Sequence, residues 1–290
     1  MEIKIKNLTK SYKSIRVLEN ISLEINMGVF GLLGENGAGK TTLMEIISTL
    51  IPFNQGEIEV AGINLKDNPH EVRKMLGYLP QKFDFFPNVT VEETLDYLCR
   101  LKGIHRKDVR SQEINLRLQE VSLFNERKKK VQELSGGMKQ RLGIAQALIG
   151  DPKIILIDEP TVGLDPHERV SFRNLINSIS RNKIILLSTH IVQDISSTCK
   201  RLMILQKGKI NYIGDTAQLI QQVQGKVWLH RTKSSPDEII QSKLFVSLQE
   251  REHDIEIRYI ADEPIPGSAV TAPTLEDAYI FINRKEQTML

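Results

Sequence analysis

Gly34-Glu35-Asn36-Gly37-Ala38-Gly39-Lys40-Thr41-Thr42 is the stretch on which the fold turns. It fits the phosphate-loop pattern of a glycine, four residues, then Gly-Lys-Ser/Thr. An apolar run at residues 29–33 leads into it, and Leu43, Ile46, Ile47 and Leu50 follow at helical spacing. Strand, glycine loop and helix in that order is the context that gives such a match meaning. The glycines let the backbone curl so that successive N–H groups face a phosphate, and the helix start adds partial positive charge. On this reading residues 34–42 cradle ATP and Lys40 reaches its β- and γ-phosphates. The Thr41 hydroxyl ligates Mg²⁺, an ion that prefers hard oxygen donors.

Two further stretches carry chemistry. Residues 154–157 are apolar and strand-sized, and they end in Asp158 and Glu159. Carboxylates at a strand end beside a phosphate loop need a reason, because α/β folds bind ligands there. Asp158 is a candidate for the Mg²⁺ shell, and Glu159 for orienting or deprotonating the attacking water. Ser135-Gly136-Gly137-Met138 precedes a helix with Leu142, Ala145 and Leu148 on one face. Ser135 reads as its cap, and the free glycine N–H groups as a second anion site. Two such helix starts either meet on one nucleotide or offer the second to a neighbour.

The rest of the chain sorts by periodicity. Residues 2–6, 21–25 and 57–60 alternate like strands and predict a β layer near the N-terminus. From Thr90, which forms a capping box with Glu93, to Val121 the pattern is helical, with Gly103 as a stop. After Gly150 buried strands (residues 154–157 and 183–188) alternate with helices, one opening at Asp165-Pro166, which implies a parallel sheet. Residues 201–205 and 209–213 predict a hairpin across Gly208. Glutamine-rich residues 218–224 read as a connector, which puts a boundary near 222. Beyond it, strands at 226–230, 244–248 and 255–260 and a helix capped at Thr274 predict a small α+β unit with its own core.

Composition sets the bounds. The chain has 290 residues, 40% apolar and 26% charged, as expected of a folded globular protein. A net charge of +3 is too small to imply nucleic-acid binding. Cys99 and Cys199, the only cysteines, lie far apart, which favours a reducing, cytoplasmic setting. No apolar run approaches the roughly 20 residues that span a bilayer, so membrane association is expected through a partner. Arg127 to Lys130, four basic residues, reads as a solvated loop, Cys99 as core, and Trp228 as packing in a strand.

Together these residues resemble, over positions 1 to about 222, the nucleotide-binding subunit of an ABC transporter. The resemblance implies an α/β fold: a RecA-like phosphate-loop core with an N-terminal antiparallel β layer and a helical insertion at about residues 88–150. A small C-terminal α+β domain, 223–290, follows the 1–222 nucleotide-binding domain. It implies roles that spacing does not supply. Tyr12 matches the aromatic that stacks on adenine, Gln81 the metal-sensing and coupling glutamine, and His190 the switch histidine that joins Lys40 and Glu159 in catalysis. Asp165 matches the loop that meets a partner subunit, and Ser135, Gly136 and Gly137 the contact to the γ-phosphate of ATP held opposite.

The implied partners are a second ATP-binding subunit, identical or related, and a membrane-spanning permease, which would hold this cytoplasmic subunit peripherally on the inner face of the cell membrane. Two positions depart from the family's commonest pattern: Glu35 where Pro or a small residue is usual, and Met138 where Gln is usual. Both are expected to lower nucleotide affinity. Met138 and the tail Pro273-Thr274-Leu275-Glu276-Asp277-Ala278-Tyr279 resemble a branch that exports antibiotics, lipids or drugs. A soluble clamp for DNA repair or ribosome rescue would carry a long coiled coil or a second phosphate loop, and neither pattern occurs.

Overall fold

The computed structural model describes residues 1–285. Its first strands, β1 (Glu2–Tyr12) and β2 (Ile15–Asn26), form a long antiparallel hairpin, and β3 (Gly28–Leu33) then runs to the phosphate loop and helix α1 (Lys40–Ile47). Strands β4 (Gln55–Val60) and β5 (Ile63–Asn64) return to the hairpin, giving a sheet of order β2-β1-β4-β5. Its alternation is that of a half-buried sheet: Ile3, Ile5, Ile21, Leu23 and Ile25 are buried while the residues between them reach solvent.

Helix α2 (Pro69–Lys74) and strand β6 (Leu76–Leu79) lead to three helices, α3 (Val91–Leu101), α4 (Lys107–Glu120) and α5 (Gly136–Leu148). The chain then alternates β7 (Ile154–Asp158), α6 (Pro166–Ile179), β8 (Ile184–Thr189), α7 (Val192–Ser196) and β9 (Arg201–Gln206), and closes with β10 (Lys209–Asp215) and α8 (Thr216–Gln221). The second sheet has the order β10-β9-β3-β8-β7-β6, parallel throughout except for edge strand β10. Strands β7 and β8 are buried at every residue, because both faces of this sheet are covered. Ile154 and Leu156 pack toward the first sheet and α1; Ile155 and Ile157 pack toward the helices.

A third sheet follows: β11 (Val227–Thr232), β12 (Leu244–Glu250), β13 (Ile255–Ile260) and β14 (Ala269–Val270) in the order β12-β13-β11-β14. Helix α9 (Asp237–Ser242) precedes β12, and α10 (Leu275–Lys285) ends the described chain. The glutamine-rich stretch read as a connector begins as helix instead. Leu219 and Val223 supply the apolar anchors that its glutamines hide, and both are fully buried. The apolar core runs across residue 222 without a break, from Ile195 and Leu202 through Leu219, Val223 and Val227 to Leu275, Ala278 and Ile282. Trp228 packs as a strand residue and donates its indole N–H to Ala261 O at 3.0 Å. Among the described residues no helix is long and apolar enough to cross a membrane.

Candidate active site

The phosphate loop is shaped by what its glycines permit. Gly37 and Gly39 have φ of +82° and +106°, in the left-handed region that side chains disfavour. A Cβ at Gly39 would meet Val17 O at 2.9 Å, and one at Gly34 would stand 2.3 Å from Leu205 O. The loop is therefore pressed against β2 on one side and β9 on the other. Lys40, 5% exposed, opens α1 and turns its ammonium back across the loop. Its Nζ donates to Gly34 O at 2.7 Å and Glu35 O at 3.0 Å, and lies 3.1 Å from Glu159 Oε1.

Strands β7 and β8 bring the two carboxylates to this point. Asp158 pairs with Ser188 in the sheet register, and Glu159 N donates to Ser188 O at 2.9 Å as the chain leaves the strand. Glu159 turns there with φ of +49°, an uncommon conformation for a side-chain-bearing residue and one that clusters at functional sites. Its Oε2 lies 2.6 Å from His190 Nδ1. A carboxylate only accepts, so this bond puts the imidazole proton on Nδ1. Lys40, Glu159 and His190 thus form one connected chain of side chains.

Asp158 is fully buried, and neither of its oxygens has a hydrogen-bond partner; Ser188 Oγ is likewise unpartnered. Burial pushes the Asp158 carboxyl above its ordinary value, against the opposing pull of the Ser188 and Thr41 hydroxyls and of Lys40. Buried polar atoms are nearly always paired, so an orphaned carboxylate beside hydroxyls is a set of hard oxygens suited to Mg²⁺.

The other predicted residues lie around this centre. Asn36 is exposed at the loop tip, Ala38 is buried under it, and Thr41 and Thr42 are half-buried in the first turn of α1. Tyr12 ends β1 with its ring 45% exposed and the Lys10 ammonium 4.7 Å above it. Gln81 is exposed just after β6. Beside it opens a cleft of about 780 Å³ between β6 and α3, lined by Tyr78, Phe83, Phe85, Phe86, Tyr97 and Leu98. Ser135 caps α5, accepting from Met138 N at 3.2 Å as predicted. Ser135 Oγ and Gly137 N bond to Met138 and to Glu168 on α6, and among the described residues neither reaches the phosphate loop of the same chain.

The family model for ABC transporters matches residues 18–162. The ABC transporter ATP-binding protein YxlF of Bacillus subtilis is 33% identical over 84% of this chain and 81% of its own. The bacitracin transport ATP-binding protein BcrA of Bacillus licheniformis is 38% identical over 72% of this chain and 68% of its own. The chain belongs to the ABC transporter family. Among solved structures, the dimeric post-hydrolysis state of the ATP-binding cassette MJ0796 with ADP and Pi is 28% identical. It superposes with a TM-score of 0.66 over 73% of this chain and 98% of that one. As an ABC transporter subunit the chain is an ATPase that binds ATP, pairs with a second such subunit and serves a membrane permease.

Three residues of this ABC subunit's site were not singled out from sequence. Ser188 hides in an apolar strand pattern, and only its register opposite Asp158 gives it meaning. Glu168 accepts from Ser135 Oγ at 3.4 Å and from Gly137 N at 3.2 Å, so a carboxylate sits at the start of α5. The Asp165-Pro-His-Glu168 spacing is a capping signal that could have flagged it. Asp194, buried four residues after His190, carried no signal of its own.

Proposed function

We propose that residues 34–42 hold the phosphates of ATP with Lys40 on the β- and γ-phosphates, and that Glu159 accepts the proton of the attacking water. His190 holds the Glu159 carboxylate in place. The observation that carries this reading is the buried Lys40–Glu159–His190 chain, with contacts of 3.1 and 2.6 Å. It brings Lys40 and Glu159 together at the carboxyl ends of parallel strands, which supports their reading as a phosphate-reading cation and a base. Thr41, Asp158 and Gln81 would hold Mg²⁺, which neutralises charge on the phosphates when bound. Tyr12 stacks on adenine from the edge of the first sheet.

Ser135, Gly136 and Gly137 serve the γ-phosphate of ATP held by the second subunit, since their bonds do not turn toward the loop of their own chain. The permease engages the subunit through the α3–α5 insertion and the Gln81 loop, where Phe86 and Tyr97 expose apolar surface. On this reading the subunit lies peripherally on the inner face of the cell membrane. The cargo is an exported antibiotic, lipid or other hydrophobic molecule, a reading supported by the tail motif and by the bacitracin-transport relative.

The test is a trapped state. Glu159→Gln keeps the shape of the site but cannot take a proton, so it should bind MgATP, dimerise and turn over poorly. Light scattering at several protein concentrations, with permease added, reads the pairing. A variant that binds ATP fully and stays monomeric would overturn the shared site.

A further inference from the structure

Beside the proposed chemistry lies a buried polar pair that it does not use. Thr161 and Asp194 are 1% and 2% exposed, and Thr161 Oγ1 donates to Asp194 Oδ2 at 2.5 Å. Thr161 stands two residues after Glu159, and Asp194 four residues after His190. The same two segments are therefore bridged twice, by Glu159–His190 at the site and by Thr161–Asp194 behind it.

Both segments need holding. Glu159 sits at a left-handed φ that persists only when its surroundings fix it. Helix α7 has five residues, too few to be stable by itself. It is seated from several sides. Ile195 lies so close to the backbone of β3 that a Cβ at Gly31 would come 2.7 Å from its Cδ1, and α10 packs against the helix as well. Among the described residues, the Asp194 bond is the one hydrogen bond from the helix to the strand exit that carries Glu159. A carboxylate this buried is retained when a specific bond requires it.

We infer that Thr161 and Asp194 are positioning residues for ATP hydrolysis: their bond fixes α7 against residues 159–161 so that His190 meets the Glu159 carboxylate. The inference rests on the roles proposed above for Glu159 and His190. It also gives α10, at the far end of the chain, a seat on the helix that sets the geometry of the site.

The experiment measures steady-state ATP hydrolysis of the full chain, with ATP affinity and melting temperature alongside. Thr161→Val keeps shape and loses the hydroxyl; it should lower kcat by about tenfold while KM for ATP stays within about twofold and the melting temperature holds. Thr161→Ser, which restores the hydroxyl, should recover at least about half of the lost rate. In a His190→Ala background nothing is left to position, so adding Thr161→Val should change kcat by less than about twofold. Should Thr161→Val fail to fold, Asp194→Ala, which removes the acceptor of the bond, is measured in the same two backgrounds with the same expectations.

Wild-type kcat in the folded single variant, no recovery with Ser, or an undiminished effect in the His190→Ala background would overturn the inference. His190→Ala alone at wild-type kcat would instead remove the underlying reading, a result visible before Thr161 is touched.

Discussion

Asp158 and Asp277 are both fully buried carboxylates, one beside the phosphate loop and one at the start of α10, and they are treated in opposite ways. Asp277 takes two bonds from Arg258 at 2.7 Å each, one from Thr274 N at 2.6 Å and one from Thr274 Oγ1 at 2.7 Å. Asp158 takes none. Burial pushes both carboxyls upward. At Asp277 the Arg258 and Thr274 bonds together outweigh it and hold the group below the ordinary range, whereas at Asp158 burial prevails. A buried charge with both oxygens engaged is architecture. One left without partners is reserved for something that arrives, and the difference separates the two regions more sharply than any boundary in the chain.

Substitutions around Asp158 should therefore act on chemistry and those around Asp277 on folding. The largest effect should come from Glu159→Gln, lowering kcat by roughly 10²–10⁴ with ATP binding kept, as loss of a general base does. Lys40→Ala should abolish binding itself, since the phosphates lose their charged donor. Equilibrium ATP binding and phosphate release on both variants read this; normal affinity in Lys40→Ala would break the assignment of the loop.

Next in size is Asp277→Ala, which strands the Arg258 guanidinium at 19% exposure. Removing one partner of a buried pair should cost about 3 kcal/mol, measured by urea unfolding, with ATP affinity of the folded protein unchanged. Asp158→Asn should move stability the other way. Relieving a buried, unpartnered charge should raise nucleotide-free stability by about 1 kcal/mol while Mg²⁺-dependent turnover is lost. A fall in stability would mean that Asp158 has an architectural role after all.

The smallest effect is in pH, where the two signs oppose. Asp277, held low in the folded state, contributes stability above the ordinary aspartate value of about 3.9 and loses it as pH falls through its lowered value. Asp158, held high, contributes no penalty below about 3.9 and an increasing one as pH rises through its raised value. The advantage of Asp158→Asn over wild type should therefore shrink as pH is brought from about 7 toward 4, while the deficit of Asp277→Asn stays nearly constant. Unfolding of the three proteins across that window checks it.

Much of this was legible in the amino-acid sequence because it is local. The phosphate loop, the Thr90–Glu93 box and the Ser135 and Asp165 caps are each set by a few adjacent residues, and each forms as its spacing predicts. So does the parallel sheet, since continuous apolar runs such as residues 154–157 suit only strands covered on both faces. Contacts made by register or by distant packing were not legible. Ser188 meets Asp158 only through the pairing of β7 with β8, and Asp194 meets Thr161 across 33 residues of chain. The helix that opens the glutamine-rich stretch was hidden for a similar reason: glutamines set its average polarity, while its structure depends on Leu219 and Val223, which are buried.

The joint at residue 222 also bears on how the molecule melts. With Leu219, Val223 and Val227 buried in the same apolar mass as Ile195 and Ile282, the third sheet cannot leave without opening the core around α7. Heat should therefore find no weak seam between the two. A scanning calorimeter should record one cooperative transition whose van't Hoff and calorimetric enthalpies agree, so that loosening α10 and silencing the ATPase become the same event.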